Sequence, residues 1–156
     1  MLHLFDDRFF SIYRKEADVV LSPERWSGEP ATAIVAEYVR MMVALFRGHA
    51  PLLRQIARLN RAGTDATFRE RVLDFNRHVH DRLRALLLAR RDEVAHPDAD
   101  VAIDLAILGV GSIARELIVH GSHWPYITPA AHDTLAAELT RMFSAYLGLP
   151  PAHHER

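Results

Sequence analysis

The chain contains no cysteine, which removes disulfide scaffolds, thiolate zinc sites, iron–sulfur clusters and thiol chemistry from consideration. It has no apolar run of membrane-spanning length. The longest, Leu105 to Ala114, is interrupted by glycine and serine and flanked by Asp104, Arg115 and Glu116, whereas a spanning helix needs about 20 residues. The first ten residues mix Asp6, Asp7 and Arg8 with leucine and phenylalanine. They show no basic start, apolar centre or small-residue cleavage site, so no secretory signal is read there. Neither sign of charge dominates: 19 basic and 20 acidic residues leave a formal net charge of −1. The broad positive field of a nucleic-acid binder is therefore missing. Lysine is almost absent, Lys15 standing against 18 arginines. The expectation is a cytoplasmic protein with no membrane contact and no cofactor.

What is present is a chain of 156 residues, 49% apolar and 25% charged, enough for one domain with its own core. Its periodicity is helical throughout, without alternating strands, and predicts an all-α fold of six helices. The first runs from Leu2 to about Val20, with Leu2, Phe5, Phe9, Ile12 and Tyr13 at steps of three and four. Ser22-Pro23 and Ser27-Gly28-Glu29-Pro30 break the pattern. A second helix over about 30–47 is expected to stop at Gly48, and a third over about 50–61 at Gly63. The fourth starts near Thr64 or Asp65 and runs to about Arg91, its stripe Phe68, Val72, Phe75, Val79, Leu83 and Leu86. The fifth, about 98–120, is apolar nearly all round from Val101 to Ala114, which implies burial on both sides. The sixth, about 129–147, opens at Thr128-Pro129 and stops at Gly148. Residues 149–156, with two prolines and His153-His154, read as a disordered tail.

Chemical motifs are few. Gly109-Val110-Gly111-Ser112-Ile113-Ala114 fits the dinucleotide fingerprint G-x-G-x-x-A, but that motif works only between a strand and a helix N-terminus. Here it falls inside a helix that begins near Asp98, so the glycines read as close-packing positions. Glu116, His120 and His123 have steps of four and three, yet Gly121 ends the helix before they can converge on a metal. His78 and His80 point to different sides of one helix. No nucleophile elbow is present, and Ser112 lies within a helix, so no catalytic residue and no metal site are assigned. The seven arginines from Arg69 to Arg91 alternate with Glu70, Asp74 and Asp81, the pattern of a solvated, ion-paired face.

Polar residues on otherwise apolar stripes leave two readings open. Gln55, Asn76 and His80 either satisfy one another across a core or supply the orienting groups of a small-molecule cavity. Methionine and phenylalanine nearby, Met41, Met42, Phe46, Phe68 and Phe75, suit an adaptable apolar lining.

Two stretches, the second in two parts, carry a resemblance to a known family. They are His49-Ala50-Pro51-Leu52-Leu53-Arg54 with Phe68-Arg69-Glu70-Arg71-Val72, then Arg90 to Ala102 (RRDEVAHPDADVA), and then Leu135 to Gly148. In helix order and local pattern the chain resembles the C-terminal regulatory part of TetR-type transcriptional regulators. Leu2 to Phe10 looks like the early part of that family's fourth helix. The resemblance implies a linker helix over 1–20 and a ligand-binding and dimerisation domain over 21–148. It implies a homodimer built as a four-helix bundle from the last two helices. DNA would be reached only through a helix-turn-helix that this chain does not contain, and the effector would be a small, mostly apolar molecule. The cavity residues expected on this basis are Tyr38, Met42, Phe46, Gln55, Phe68, Val72, Phe75, Asn76, Val79, His80, Ile107 and Val110. The expected interface consists of Ala102, Ala106, Gly109 and Ile113 with Leu139, Met142, Phe143 and Tyr146. The larger side of the fifth helix (Ile103, Ile107, Val110, Leu117) is then expected to face core and cavity. A stand-alone helical interaction module is the alternative reading, and a metalloprotein or enzyme a remote one.

Overall fold

A computed structural model describes residues 2–61, 66–121 and 133–151. Among the described residues the fold is all-helical: α1 Leu2–Val20, α2 Ala31–Arg61, α3 Ala66–Leu88, α4 Ala99–Val119 and α5 Leu135–Leu147, with one 3₁₀ turn at Arg91–Glu93. There are no strands among them. Gly63, the Thr128-Pro129 helix start and His123 lie outside the described residues.

The separation expected at Gly48 does not occur. One helix of 31 residues runs straight through Gly48 and Pro51, about 46 Å at 1.5 Å per residue. Gly48 does not take the left-handed conformation of a helix stop; among the described residues only Gly28 and Gly148 have positive φ. A helical glycine costs about 1 kcal/mol against alanine, and Pro51 cannot donate to the carbonyl of Arg47. Tertiary contacts outweigh both. Ala50 is buried, and Arg54 donates from Nε to the carbonyl of Val119 at 2.8 Å and from a terminal nitrogen to that of Ile118 at 3.2 Å. The second half of α2 thereby caps the C-terminus of α4, whose last carbonyls have no partner within their own helix.

The start of α2 is held from a distance as well. Glu93 accepts from the amide of Ala31 at 2.8 Å, placing a carboxylate at the positive end of the helix. Arg90 donates to the carbonyls of Trp26 and Glu29, and buried Trp26 donates through Nε1 to the carbonyl of Val20 at 2.6 Å. The loop between α1 and α2 is thus tied to the turn that follows α3.

The core lies between α2, α4 and α5, filled by Ile34, Val35, Val39, Ile103, Leu139, Phe143 and Leu147. Leu83, Leu86 and Leu87 bring the C-terminal half of α3 into it. Asp98 opens α4 by accepting from the amide of Val101 at 3.1 Å, where the sequence places that helix start. Gly148 closes α5 as the sequence predicts. At φ +65° it donates to Ala145, while Leu149 donates to Ser144 at 2.9 Å, the double closure of a Schellman motif. Leu149, assigned above to a disordered tail, is buried.

The two glycines should respond to alanine with opposite signs. A Cβ at Gly148 would sit 2.9 Å from Ala95 Cβ in a left-handed backbone, whereas one at Gly48 meets nothing within 4 Å. Gly148→Ala is expected to destabilise by about 1–2 kcal/mol or more, and Gly48→Ala to stabilise by about 0.5–1 kcal/mol. Denaturant midpoints at unchanged slope check both.

Candidate ligand cavity

One stripe of α4 decides where the cavity forms. Positions 100, 104, 107, 111 and 115 recur at helical spacing and face α3, which runs antiparallel after a short connection. In the first two turns that stripe carries carboxylates. Arg84 donates to Asp100 at 2.5 Å and to Asp104 at 2.9 Å, and His80 Nε2 lies 3.1 Å from Asp104. The hydrogen bond to Asp104 also raises the Arg84 pKa above its ordinary value. In the next two turns the stripe carries Ile107, Gly111 and Arg115, and no side chain at Gly111 reaches toward α3. There the helices line a cavity of about 220 Å³ that opens to solvent beside Asn76, Leu108 and Arg115.

Its apolar floor comes from Met41, Met42, Leu45 and Phe46 on α2, Phe75 and Val79 on α3, and Ile107 and Leu108 on α4. Tyr38 adds a phenol, and Asn76, His80, Ser112 and Arg115 add the other polar groups. A void of about 150 Å³ is enough to hold benzene, while drug-sized ligands occupy roughly 300–1,000 Å³. A small molecule fits. Tyr38 is nine-tenths buried, its ring edge-on to Phe143 with centroids 6.3 Å apart. Burial pushes its phenol up to about 12, so the group is a neutral donor at any physiological pH.

A second cavity of about 220 Å³ lies between α1 and α2, lined by Tyr13, Glu16, Ala17, Ala44, Gly48 and His49. It shares Met41, Leu45 and Phe75 with the first. The Tyr13 hydroxyl bonds His49 Nε2, and burial, with Glu16 second, pushes that phenol up. On its other side α1 is clipped to α3: Arg14 pairs with Asp74 at 2.9 Å, and Arg82 and His78 both reach Asp18, at 2.8 and 2.6 Å.

Of the expected cavity residues, Tyr38, Met42, Phe46, Phe75, Asn76, Val79, His80 and Ile107 are brought together. Gln55 is exposed on the far half of α2. Phe68 turns instead to Phe10 of α1, ring centroids 5.8 Å apart, half-buried Val72 does not line the cavity, and Val110 is buried in the core. Leu108, Gly111, Ser112 and Arg115 escaped the sequence reading. The signal for them was the i+4 progression from Ile107 through Gly111 to Arg115, obscured by the lack of a side chain at Gly111.

The expected interface residues divide differently. Ala102, Ala106, Leu139 and Phe143 are covered by their own chain, which leaves them no surface for a partner. Gly109 and Ile113 are half-buried, and Met142 and Tyr146 are exposed. The apolar surface left on α4 is Val101, Leu105 and Leu108, between 50 and 64% exposed. Among the described residues no three histidine or acidic side chains converge as a metal site, and no helix is long and apolar enough to cross a membrane. Compared with protein-family models, with curated proteins and with solved structures, the chain matches none.

The Tyr38 shift gives an alkaline signature. In the unfolded chain this phenol ionises near 10.0, in the folded one near 12. The folded state therefore keeps a proton that the unfolded state releases. Stability is intact below the lower value and declines as pH rises through this window. Tyr38→Phe is expected to make that decline shallower, measured by denaturant unfolding across the alkaline range alongside phenolate absorbance.

Proposed function

We propose that the chain is the effector-sensing and dimerising part of a TetR-like regulator. The observation that carries this reading is the apolar cavity between α2, α3 and α4, which shares Met41, Leu45 and Phe75 with the space beneath α1. A small, mostly apolar ligand that orders these three side chains changes the packing available to Tyr13 and Ala17, and so favours one position of α1 over another. Such a ligand works only through its difference in affinity for the two positions. A helix-turn-helix attached before α1 would feel that shift as a change in spacing across a dimer.

The exposed apolar residues support the dimer half of the reading. Val101, Leu105 and Leu108 repeat at steps of four and three, the spacing of a helix–helix seam. Met142 is exposed on α5, as is Tyr146, whose ring lies 5.3 Å from His96 near the start of α4. A twofold contact of α4 and α5 with their copies would remove these side chains from water in a four-helix arrangement. It would use this outer stripe of α4 in place of the alanine side.

Two measurements test the proposal. Light scattering is expected to give twice the 17.7 kDa chain mass, falling to a single folded chain when Leu105→Glu and Leu108→Glu are combined. A well-folded single copy of the unaltered chain at micromolar concentration overturns the dimer. Titration with indole is expected to stabilise the protein by about 2.7 kcal/mol at a hundred times the dissociation constant. Gly111→Leu should abolish that gain by filling the cavity, since its Cβ meets only Met42 Sδ at 3.7 Å. Equal stabilisation of both proteins places the binding elsewhere and removes the sensor reading.

A further inference from the structure

We infer that the cavity takes small monocarboxylic acids, with the apolar body on the methionine and phenylalanine floor and the carboxylate held at the mouth by Arg115. This rests on the sensing role proposed above and names its ligand class.

The charge distribution carries the inference. Among the described residues no aspartate or glutamate lines the cavity, while Arg115 does. Arg115 is exposed, so its guanidinium is hydrated until a ligand arrives. The arginines that hold the helices together are engaged: Arg84 with Asp100 and Asp104, Arg82 with Asp18, Arg14 with Asp74, Arg91 with Asp100. Arg115 has no ion pair or hydrogen bond among the described residues. None of those residues competes with an outside anion for its cation, and a guanidinium fork matches a carboxylate in shape as well as sign.

Neutral donors stand beside it. Ser112 lies one helical turn before Arg115 on α4, and Asn76 lies across the opening on α3. His80 lies beside two carboxylates, Asp104 at 3.1 Å, itself paired with Arg84, and Asp81 at 3.3 Å, and neither of these lines the cavity. The neighbouring cavity under α1 has the opposite character, with Glu16 on its wall. An acid is therefore favoured at the first cavity and disfavoured at the second. The volume limits the body of the ligand to roughly the size of a benzene ring with a short arm, and the single guanidinium calls for a single negative charge.

The test compares 3-phenylpropionate with 3-phenylpropionamide, and hexanoate with hexanamide, by titration calorimetry on the full chain at low and high salt. The acids are expected to bind at least tenfold more tightly than their amides, with the advantage shrinking as salt is raised. Arg115→Gln should lower acid affinity to that of the amide and leave the amide unchanged, while Arg115→Lys should keep part of the preference. Gly111→Leu should abolish both. If acid and amide bind alike, or if Arg115→Gln leaves the preference intact, the carboxylate assignment fails while the sensing role stands. If no probe binds, or if Gly111→Leu leaves binding unchanged, both fail together.

Discussion

The arrangement depends on the way α3 is held against α4. Asp100 and Asp104 lie one turn apart and engage Arg84 and His80, so the two helices are clipped near the short connection that joins them. Beyond the clip α4 carries Gly111, where a Cβ would meet Met42 Sδ of α2 at 3.7 Å. Apolar packing alone would draw two helices together along their whole length until their side chains interdigitate. Polar clips at one end and a glycine further along allow them to be attached without being closed. A cavity with a soft floor of methionine, leucine and phenylalanine is the result.

The rest of the fold holds this arrangement from outside. The second half of α2 caps α4 through Arg54, and the beginning of α2 is capped in turn by Glu93 from the turn after α3. Arg90 ties the α1–α2 loop to the same turn. Each tie pairs a charged side chain with backbone groups that helix ends and loops leave unsatisfied. Such bonds stabilise the ends of helices whose middles are stabilised by burial. The contacts of α1 with α3 combine partly exposed ion pairs among Arg14, Asp18, Asp74, His78 and Arg82 with the ring of Phe10 against Phe68 and Phe75. Exposed pairs contribute little, with a median of about 0–1 kcal/mol each. The side chains beneath α1, Met41, Leu45 and Phe75, are shared with the cavity.

Much of this was legible from periodicity and punctuation. The helical class, the span of α1, the start of α4 at Asp98 and the stop of α5 at Gly148 rest on interactions within a few residues, which local sequence encodes directly. So does most of the cavity wall, because a helical stripe such as Phe75, Asn76, Val79 and His80 stays together wherever the helix packs. Gly48 was misleading. As a local signal it ends a helix, but the cost of a helical glycine is small beside the contacts made by Ala50 and Arg54. The face of α4 was misleading for a related reason. Ala102 and Ala106 are small enough to suit any close contact, and their burial within their own chain is set by where α2 and α5 lie.

Sequence alone determined that this chain is a set of amphipathic helices with defined ends, since apolar spacing, caps and breakers act over a turn or two of backbone. Tertiary structure decided that α2 is continuous, that Val101, Leu105 and Leu108 are the large apolar residues of α4 left in water, and that Arg115 stands over a cavity without an acidic partner among the described residues. Those outcomes depend on contacts between residues far apart in the chain. Their strengths are compared only once the helices have been brought together.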